Sequence, residues 1–282
     1  MQVIKSPNDI LRLSSALRIK GKQIGLVPTM GALHQGHLSL VEKSIADNDQ
    51  TIVSIFVNPL QFNNPEDLKI YPRTLDEDLE LLKRWGVGIV YAPGEQDMYP
   101  EPPIVSIDFG KQAQTMEGTF RPGHFEGVGV VVAKLFHQCH PHRAYFGLKD
   151  LQQFLLIRKM ACDLSFSVEV IGSPIIREAS GLAMSSRNQR LSEQGKSVAS
   201  IIFQGLKLAK EAWQTGLTPD ETKRQVIDLY NNTKGLSIEY LHIVNPDTLI
   251  DLTQNKGQKV AFCVAGYVEG IRLIDNLYLW QD

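Results

Sequence analysis

The chain has 282 residues, 43% hydrophobic and 21% charged, and its 29 Lys and Arg against 31 Asp and Glu give a formal charge of -2. That length fits one large core or two smaller ones, and the near-neutral balance excludes a global basic field of the kind that gathers nucleic acid. Cys139, Cys162 and Cys263 are widely spaced with no C-x-x-C pair, which argues against a disulfide framework or structural zinc; Met1–Lys20 lacks the apolar core of a signal peptide, and no apolar run approaches a membrane span, so the reducing cytoplasm is the expected setting.

Residues 7–19 have helical apolar spacing behind a cap at Asn8 or Asp9. Ile24–Val27, extended to 29, reads as a buried strand, and Leu38–Ala46 as an amphipathic helix. Between them stands Pro-Thr-Met-Gly-Ala-Leu-His-Gln-Gly-His, residues 28–37. Strand, tight turn and helix is a geometry that presents backbone N–H groups and a helix dipole to an anion. Gly31 and Gly36 allow close approach to the main chain, and His34 and His37, three apart, share a face if both lie in the first helical turn. The alternative is a glycine-rich turn with two surface histidines.

Thr51–Val57 is a second β-branched strand ending at Asn58-Pro59, and one helix's worth of chain before it makes a βαβ unit with a parallel sheet. Ligands of such sheets bind beyond the carboxyl ends of the strands, which places Asn58–Asp67 beside the first motif and makes Gln61 a candidate for a small polar substrate. Residues 74–85 read as a helix whose acidic first turn suits the helix dipole better than a metal. Gly88–Tyr91 and Ile104–Phe109 read as strands, with Ala92–Pro103 a surface loop between them. Gly118–Gly129 reads as a long functional loop bearing Arg121 and His124, followed by a helix over Val130–Gln138. His137, Cys139, His140 and His142 match no common zinc spacing and fit a solvated helix end better.

Arg143–Gly147 is expected as a strand, Gly147-Leu-Lys-Asp150 as another strand-to-helix turn, and 150–162 as a helix with Gln152 and Gln153 in its first turn. Lys149 suits a phosphate as a point charge. Phe166–Ile171 would close the parallel sheet, and the polar stretch 172–190 reads as a mobile link between domains, with Met184-Ser-Ser-Arg187 offering hydroxyls and a guanidinium to phosphate oxygens. Helices over Glu193–Trp213 and Pro219–Asn231, then strands over Ser237–Val244, Lys259–Ala265 and Ile271–Leu277 joined at Gly266–Gly270, predict a small α+β domain, antiparallel at that connection.

Together with Val-Asn-Pro-Leu-Gln-Phe at 57–62, Tyr-Pro-Arg-Thr at 71–74, Arg-Pro-Gly-His-Phe-Glu-Gly at 121–127, Lys-Asp-Leu-Gln-Gln at 149–153 and Met-Ser-Ser-Arg-Asn at 184–188, the opening motif resembles the pantothenate synthetase (pantoate–β-alanine ligase) family, in the family's order. The resemblance implies a Rossmann-like nucleotidyltransferase domain with a parallel sheet over 1–175, a smaller α+β domain over 176–282 closing over the ATP site, and a homodimer. It implies ATP-dependent joining of (R)-pantoate to β-alanine through a pantoyl adenylate, with Mg2+ assisting, no nucleic acid and no membrane. Carried over by position, Met30, Gly31, Ala32, Leu33, His34, Gln35, Gly36 and His37 would bind ATP, with His37 as proton donor and His34 beside it. Lys149 would neutralise charge at the transferring phosphate, Gly147, Leu148 and Asp150 would complete that loop, and Ile176, Met184, Ser185, Ser186 and Arg187 would close over the nucleotide. Gln61 and Gln153 would bind pantoate, and Gln61 also β-alanine; no magnesium ligand is assigned.

Leu148 stands where that family commonly has a polar residue, and His142 where an acidic one is usual. Two rivals are a nucleotidylyltransferase of the same superfamily, which would not need glutamines at 61 and 153, and a regulator that has lost catalysis, against which the retained His34, His37, Lys149, Ser185 and Arg187 speak.

Overall fold

The computed structural model describes residues 1–279, which fall into two compact units, Met1–Leu148 with Gln152–Pro174, and Lys149–Leu151 with the chain from Ile175 onward. The first unit's strands are β1 (Gln2–Ile4), β2 (Ile24–Thr29), β3 (Gln50–Ile55), β4 (Ile89–Tyr91), β5 (Arg143–Gly147) and β6 (Glu169–Ser173). Its helices are α1 (Pro7–Ile19), α2 (Gln35–Asp47), α3 (Pro65–Ile70), α4 (Leu75–Arg84), α5 (Glu95–Met98), α6 (Glu117–Phe120), α7 (His124–Cys139) and α8 (Leu151–Asp163). All six strands are parallel, in the order β1-β4-β3-β2-β5-β6. The chain therefore fills one side of β2 with β3 and β4, then crosses to the other with β5, and the switch point lies between the carboxyl ends of β2 and β5.

The sheet is covered by helices because its strands are apolar on both sides. Val27, Val53 and Val90 join Leu40 and Val41 of α2 and Leu82 of α4 in one buried cluster. Ile24 and Leu26 have opposite parity in the same strand, and α1 and α7 pack against β2 there. Gly25 faces α2 so closely that a Cβ would lie 2.2 Å from Ser44 Oγ, so glycine sets the helix-to-sheet distance.

Several expectations are corrected. The α1 cap is Ser6, whose hydroxyl accepts from Asp9 N, with Pro7 opening the helix. β1 lacks a periodic sequence signal because it is a three-residue edge strand. Ile104–Phe109 forms no strand; Ile104 and Val105 are exposed, and Ile107 and Phe109 pack instead on Gly129 of α7. Ala92–Pro103 is not all surface loop, since α5 buries Met98 and Tyr99. The second half of Gly118–Gly129 is already helix: α7 begins at His124, and Gly127 and Gly129 let neighbouring chain approach its first turns. Phe166 precedes β6 and stacks edge-on against Phe136.

The second unit has α9 (Glu193–Gln214) and α10 (Pro219–Asn231) on an antiparallel sheet of β7 (Leu236–Val244), β8 (Val260–Val268) and β9 (Ile271–Leu279). Its core joins Ile202, Leu206 and Trp213 of α9 to Tyr230 of α10 and Phe262 of β8. The connection expected at Gly266–Gly270 is shorter: β8 runs to Val268, and Glu269 and Gly270, both at positive φ (52° and 74°), form the two-residue turn that hairpin twist favours. Residues 175–190 are not a loose link. Leu182 and Ala183 are buried, Arg177 pairs with Ala183 across a turn at Gly181, and a 3-10 turn, Ser186–Arg190, follows.

Candidate active site

At the carboxyl end of β2 the chain turns through Gly31 and Ala32, both at positive φ (83° and 50°), before entering α2. Ala32 carries a Cβ in a conformation that costs about 1 kcal/mol. What holds it there is Asp78. This carboxylate, 3% exposed on α4, accepts from Ala32 N at 2.9 Å, Leu33 N at 2.8 Å and the Thr74 hydroxyl at 3.2 Å. Gly31 N meanwhile donates to Thr29 Oγ1, whose own hydroxyl donates to Ser54 O.

The two histidines lie side by side at the start of α2, as their three-residue spacing implies. His34 is the N-cap and His37 the third helical residue, and each caps the other's backbone: Gly36 N donates to His34 Nδ1 at 3.1 Å, and His34 N to His37 Nδ1 at 3.3 Å. Their ring centroids lie 4.1 Å apart. Because both Nδ1 atoms accept, the proton of each neutral ring sits on Nε2. The amides of Gly31, Ala32, Leu33, His34 and Gly36 are thus spent on side chains within the first unit. The structure corrects the picture of a nest of open N–H groups: these amides are taken by side chains, with the Asp78 carboxylate bracing the turn.

Beyond β3, a 3-10 turn, Pro59–Gln61, presents Gln61. Its Nε2 donates to Met30 Sδ at 2.8 Å, and its Oε1 accepts from Asn58 Nδ2 at 3.2 Å. Asn58 is buried, accepts from Tyr99 OH at 2.9 Å and donates to Gly127 O at 3.1 Å. Burial pushes the Tyr99 phenol well above its usual range, so it remains a donor. The Gln61 carbonyl accepts from His124 Nδ1 at 2.8 Å and Arg121 at 3.4 Å. Arg121 and His124 therefore hold the main chain of Gln61 whatever else they do. Gln152 is internal too, accepting from Glu117 N and donating to Gln112 O and Thr115 O, while Gln153 beside it is half-buried in the first turn of α8.

Gly147 ends β5 and Leu148 opens a 3-10 turn, Leu148–Asp150; Gly147 and Leu148 group with the first unit, whereas Lys149 and Asp150 group with the second. There the Lys149 carbonyl accepts from Asn276 Nδ2 at 2.9 Å. Ile176 O accepts from Met184 N, and Ser185 Oγ accepts from Arg187 N to start the 3-10 turn that contains Ser186 and Arg187. Behind this hairpin, Arg177 forms a two-pronged pair with Asp275 at 2.6 and 3.0 Å. Burial pushes the Asp275 carboxyl up, and the Arg177 guanidinium pulls it back down.

The remaining histidines have structural duties. His142 Nδ1 accepts from Ile24 N, His140 ends α7 in a left-handed conformation, and Cys139 is a buried free thiol. Two residues carry more of the site than their sequence context announces. Asp78 falls at the third step of a Leu75, Leu79, Leu82 stripe, and an acid on an apolar helix face was the available signal. Tyr99 gave none.

A parallel sheet with paired histidines at its switch point defines an α/β nucleotide-binding enzyme of the Rossmann-like nucleotidyltransferase type. The sequence profile of the pantoate–β-alanine ligase family matches residues 2–278, and the chain belongs to that family. It is 48% identical over 262 residues to pantothenate synthetase from Cytophaga hutchinsonii, covering 92% of this chain and 93% of the relative. Against the crystal structure of pantothenate synthetase from Thermus thermophilus the TM-score is 0.92 at 41% identity, covering 98% of this chain and 99% of that one. A pantoate–β-alanine ligase from Francisella tularensis, solved with beta-gamma ATP and β-alanine, matches with a TM-score of 0.81 at 34% identity, covering 98% and 97%.

Proposed function

We propose that this chain joins (R)-pantoate to β-alanine at the expense of ATP, as family membership across nearly its whole length supports. A carboxylate resists an amine until one oxygen becomes a good leaving group. In the first half-reaction the pantoate carboxylate attacks the α-phosphorus of ATP and pyrophosphate leaves. In the second, the β-alanine amine attacks the acyl carbon of pantoyl adenylate and AMP departs.

The observation that carries the reading is the family match over residues 2–278, with the reciprocal cap of His34 and His37 fixing their rings side by side at the strand-to-helix turn. Met30–His37 is the ATP motif, with His37 as proton donor and His34 beside it on the phosphates. Lys149 supplies the cation for the transferring phosphate, with Gly147, Leu148 and Asp150 around it, and Ile176 with Met184–Arg187 holds the nucleotide. Gln61 and Gln153 hold pantoate, and Gln61 also β-alanine. Magnesium enters with ATP as the counter-ion of its phosphates.

The chain acts as a homodimer in the cytoplasm. None of the three cysteines is in a disulfide, in keeping with a reducing compartment, and among the described residues no helix is long and apolar enough to cross a membrane. Pantoate-dependent exchange of pyrophosphate into ATP, followed by AMP release that requires β-alanine, tests the activity; folded protein that shows neither refutes it. Lys149→Ala is expected to suppress the exchange by about a hundredfold or more with the fold intact, as loss of an electrostatic group does. Near-normal exchange in that variant would remove Lys149 from its role.

A further inference from the structure

Lys149 has a four-carbon stem with many rotamers, so its charge is useful only if the backbone that carries it is fixed. In the second unit that backbone is held by a side chain, the Asn276 amide on the Lys149 carbonyl. Asn276 is itself 3% exposed and gripped on both sides of its main chain. Its N–H donates to Asp275 Oδ1 at 2.7 Å, and its carbonyl accepts from Arg177 at 3.1 Å. Arg177, stacked 3.7 Å over the Phe203 ring and bonded to Gly181 O, opens the hairpin that leads to Met184. A buried ion pair is a poor device for stability, since desolvation offsets its attraction, but it defines geometry.

We propose that Asn276, braced by the Arg177–Asp275 pair, is a positioning residue for adenylate formation: it sets the main chain of Lys149 in register with the hairpin that presents Met184–Arg187. This rests on the reading of Lys149 as the cation at the transferring phosphate. The same guanidinium fixes both pieces, so the ammonium and the Ser185–Arg187 segment keep one spacing as they meet the triphosphate.

The test is Asn276→Ala in the full-length enzyme, read by pantoate-dependent ATP–pyrophosphate exchange and, separately, by attack of β-alanine on supplied pantoyl adenylate. Misplacing the Lys149 backbone by about 1 Å is expected to slow exchange roughly tenfold to a hundredfold, while the second half-reaction stays within about twofold. Asn276→Thr suits a strand and is too short to reach the carbonyl, so it serves if the alanine variant melts early. In a Lys149→Ala background the Asn276 change is expected to add less than about twofold, because both act through one group. Unaltered exchange, equal loss in both half-reactions, or full additivity with Lys149→Ala would overturn the proposal. Normal exchange in Lys149→Ala alone would instead sink the reading beneath it, and the proposal with it.

Discussion

Gly127 gives a sharp test of how the first unit shapes its site. It lies in the first turns of α7, where a Cβ would stand 2.3 Å from Leu60 O, 2.5 Å from the Leu60 carbonyl carbon and 2.8 Å from Gln61 N. Ordinary contacts begin near 3.4 Å, so Gly127→Ala forces the turn back by about 1 Å, and the obstructing atoms are backbone that cannot swing aside. The movement reaches Gln61, because the turn is fastened to this helix by Asn58 Nδ2 on Gly127 O and by His124 on Gln61 O. Overpacking of this kind costs about 1–3 kcal/mol of stability. A displacement near 1 Å at a positioning group costs up to about a hundredfold in rate. The expected outcome is a pantoate kcat/KM, measured by pyrophosphate exchange, that falls roughly tenfold to a hundredfold, with the KM for ATP moving less than about twofold. A folded Gly127→Ala enzyme with wild-type pantoate kcat/KM would refute the reasoning.

Two further outcomes concern charge. Asp78→Asn keeps the side chain's size but turns one acceptor into an N–H2 facing an amide donor; it should cost about 2–3 kcal/mol in urea denaturation and raise the KM for ATP, and a variant unchanged in both would show that the carboxylate does not brace the turn. His142 is held below its ordinary value by burial first, then by Arg18 and Arg143, and His140 is lowered by burial, Arg18 and His137. Between their lowered values and about 6.5 the unfolded chain binds more protons than the folded one, so stability should fall as pH drops below about 6.5. Urea midpoints at two pH values either side of that point measure it. His142→Asn, which can still accept from Ile24 N, should make the decline shallower; an unchanged decline would exonerate His142.

Where the sequence carried periodic apolar spacing with a cap, it was legible. The strand-helix-strand from Ile24 to Ile55, the helix at α4, the two long helices α9 and α10 and the three strands after them were all expected close to where they stand. Aperiodic stretches misled. Ile104–Phe109 has strand composition, yet only Ile107 and Phe109 find a surface to bury against, and among the described residues no neighbouring strand pairs with it. Gly118–Gly129 looked too glycine-rich for an element, but its later glycines belong to a helix, Gly127 packed against the backbone of Leu60 and Gln61 and Gly129 against the side chains of Ile107 and Phe109, a reason invisible in one dimension.

The same division runs through the candidate site. Spacing alone put His34 and His37 at a strand-to-helix turn and Gln61 at the end of the next strand, because those positions depend only on local order and the period of each element. It had no means of showing that Asp78, 46 residues from Ala32, occupies the turn's amides, nor that Asn276, 127 residues from Lys149, holds its carbonyl. Buried polar groups must find partners wherever the fold brings them, and that pairing is decided only when the chain has closed on itself.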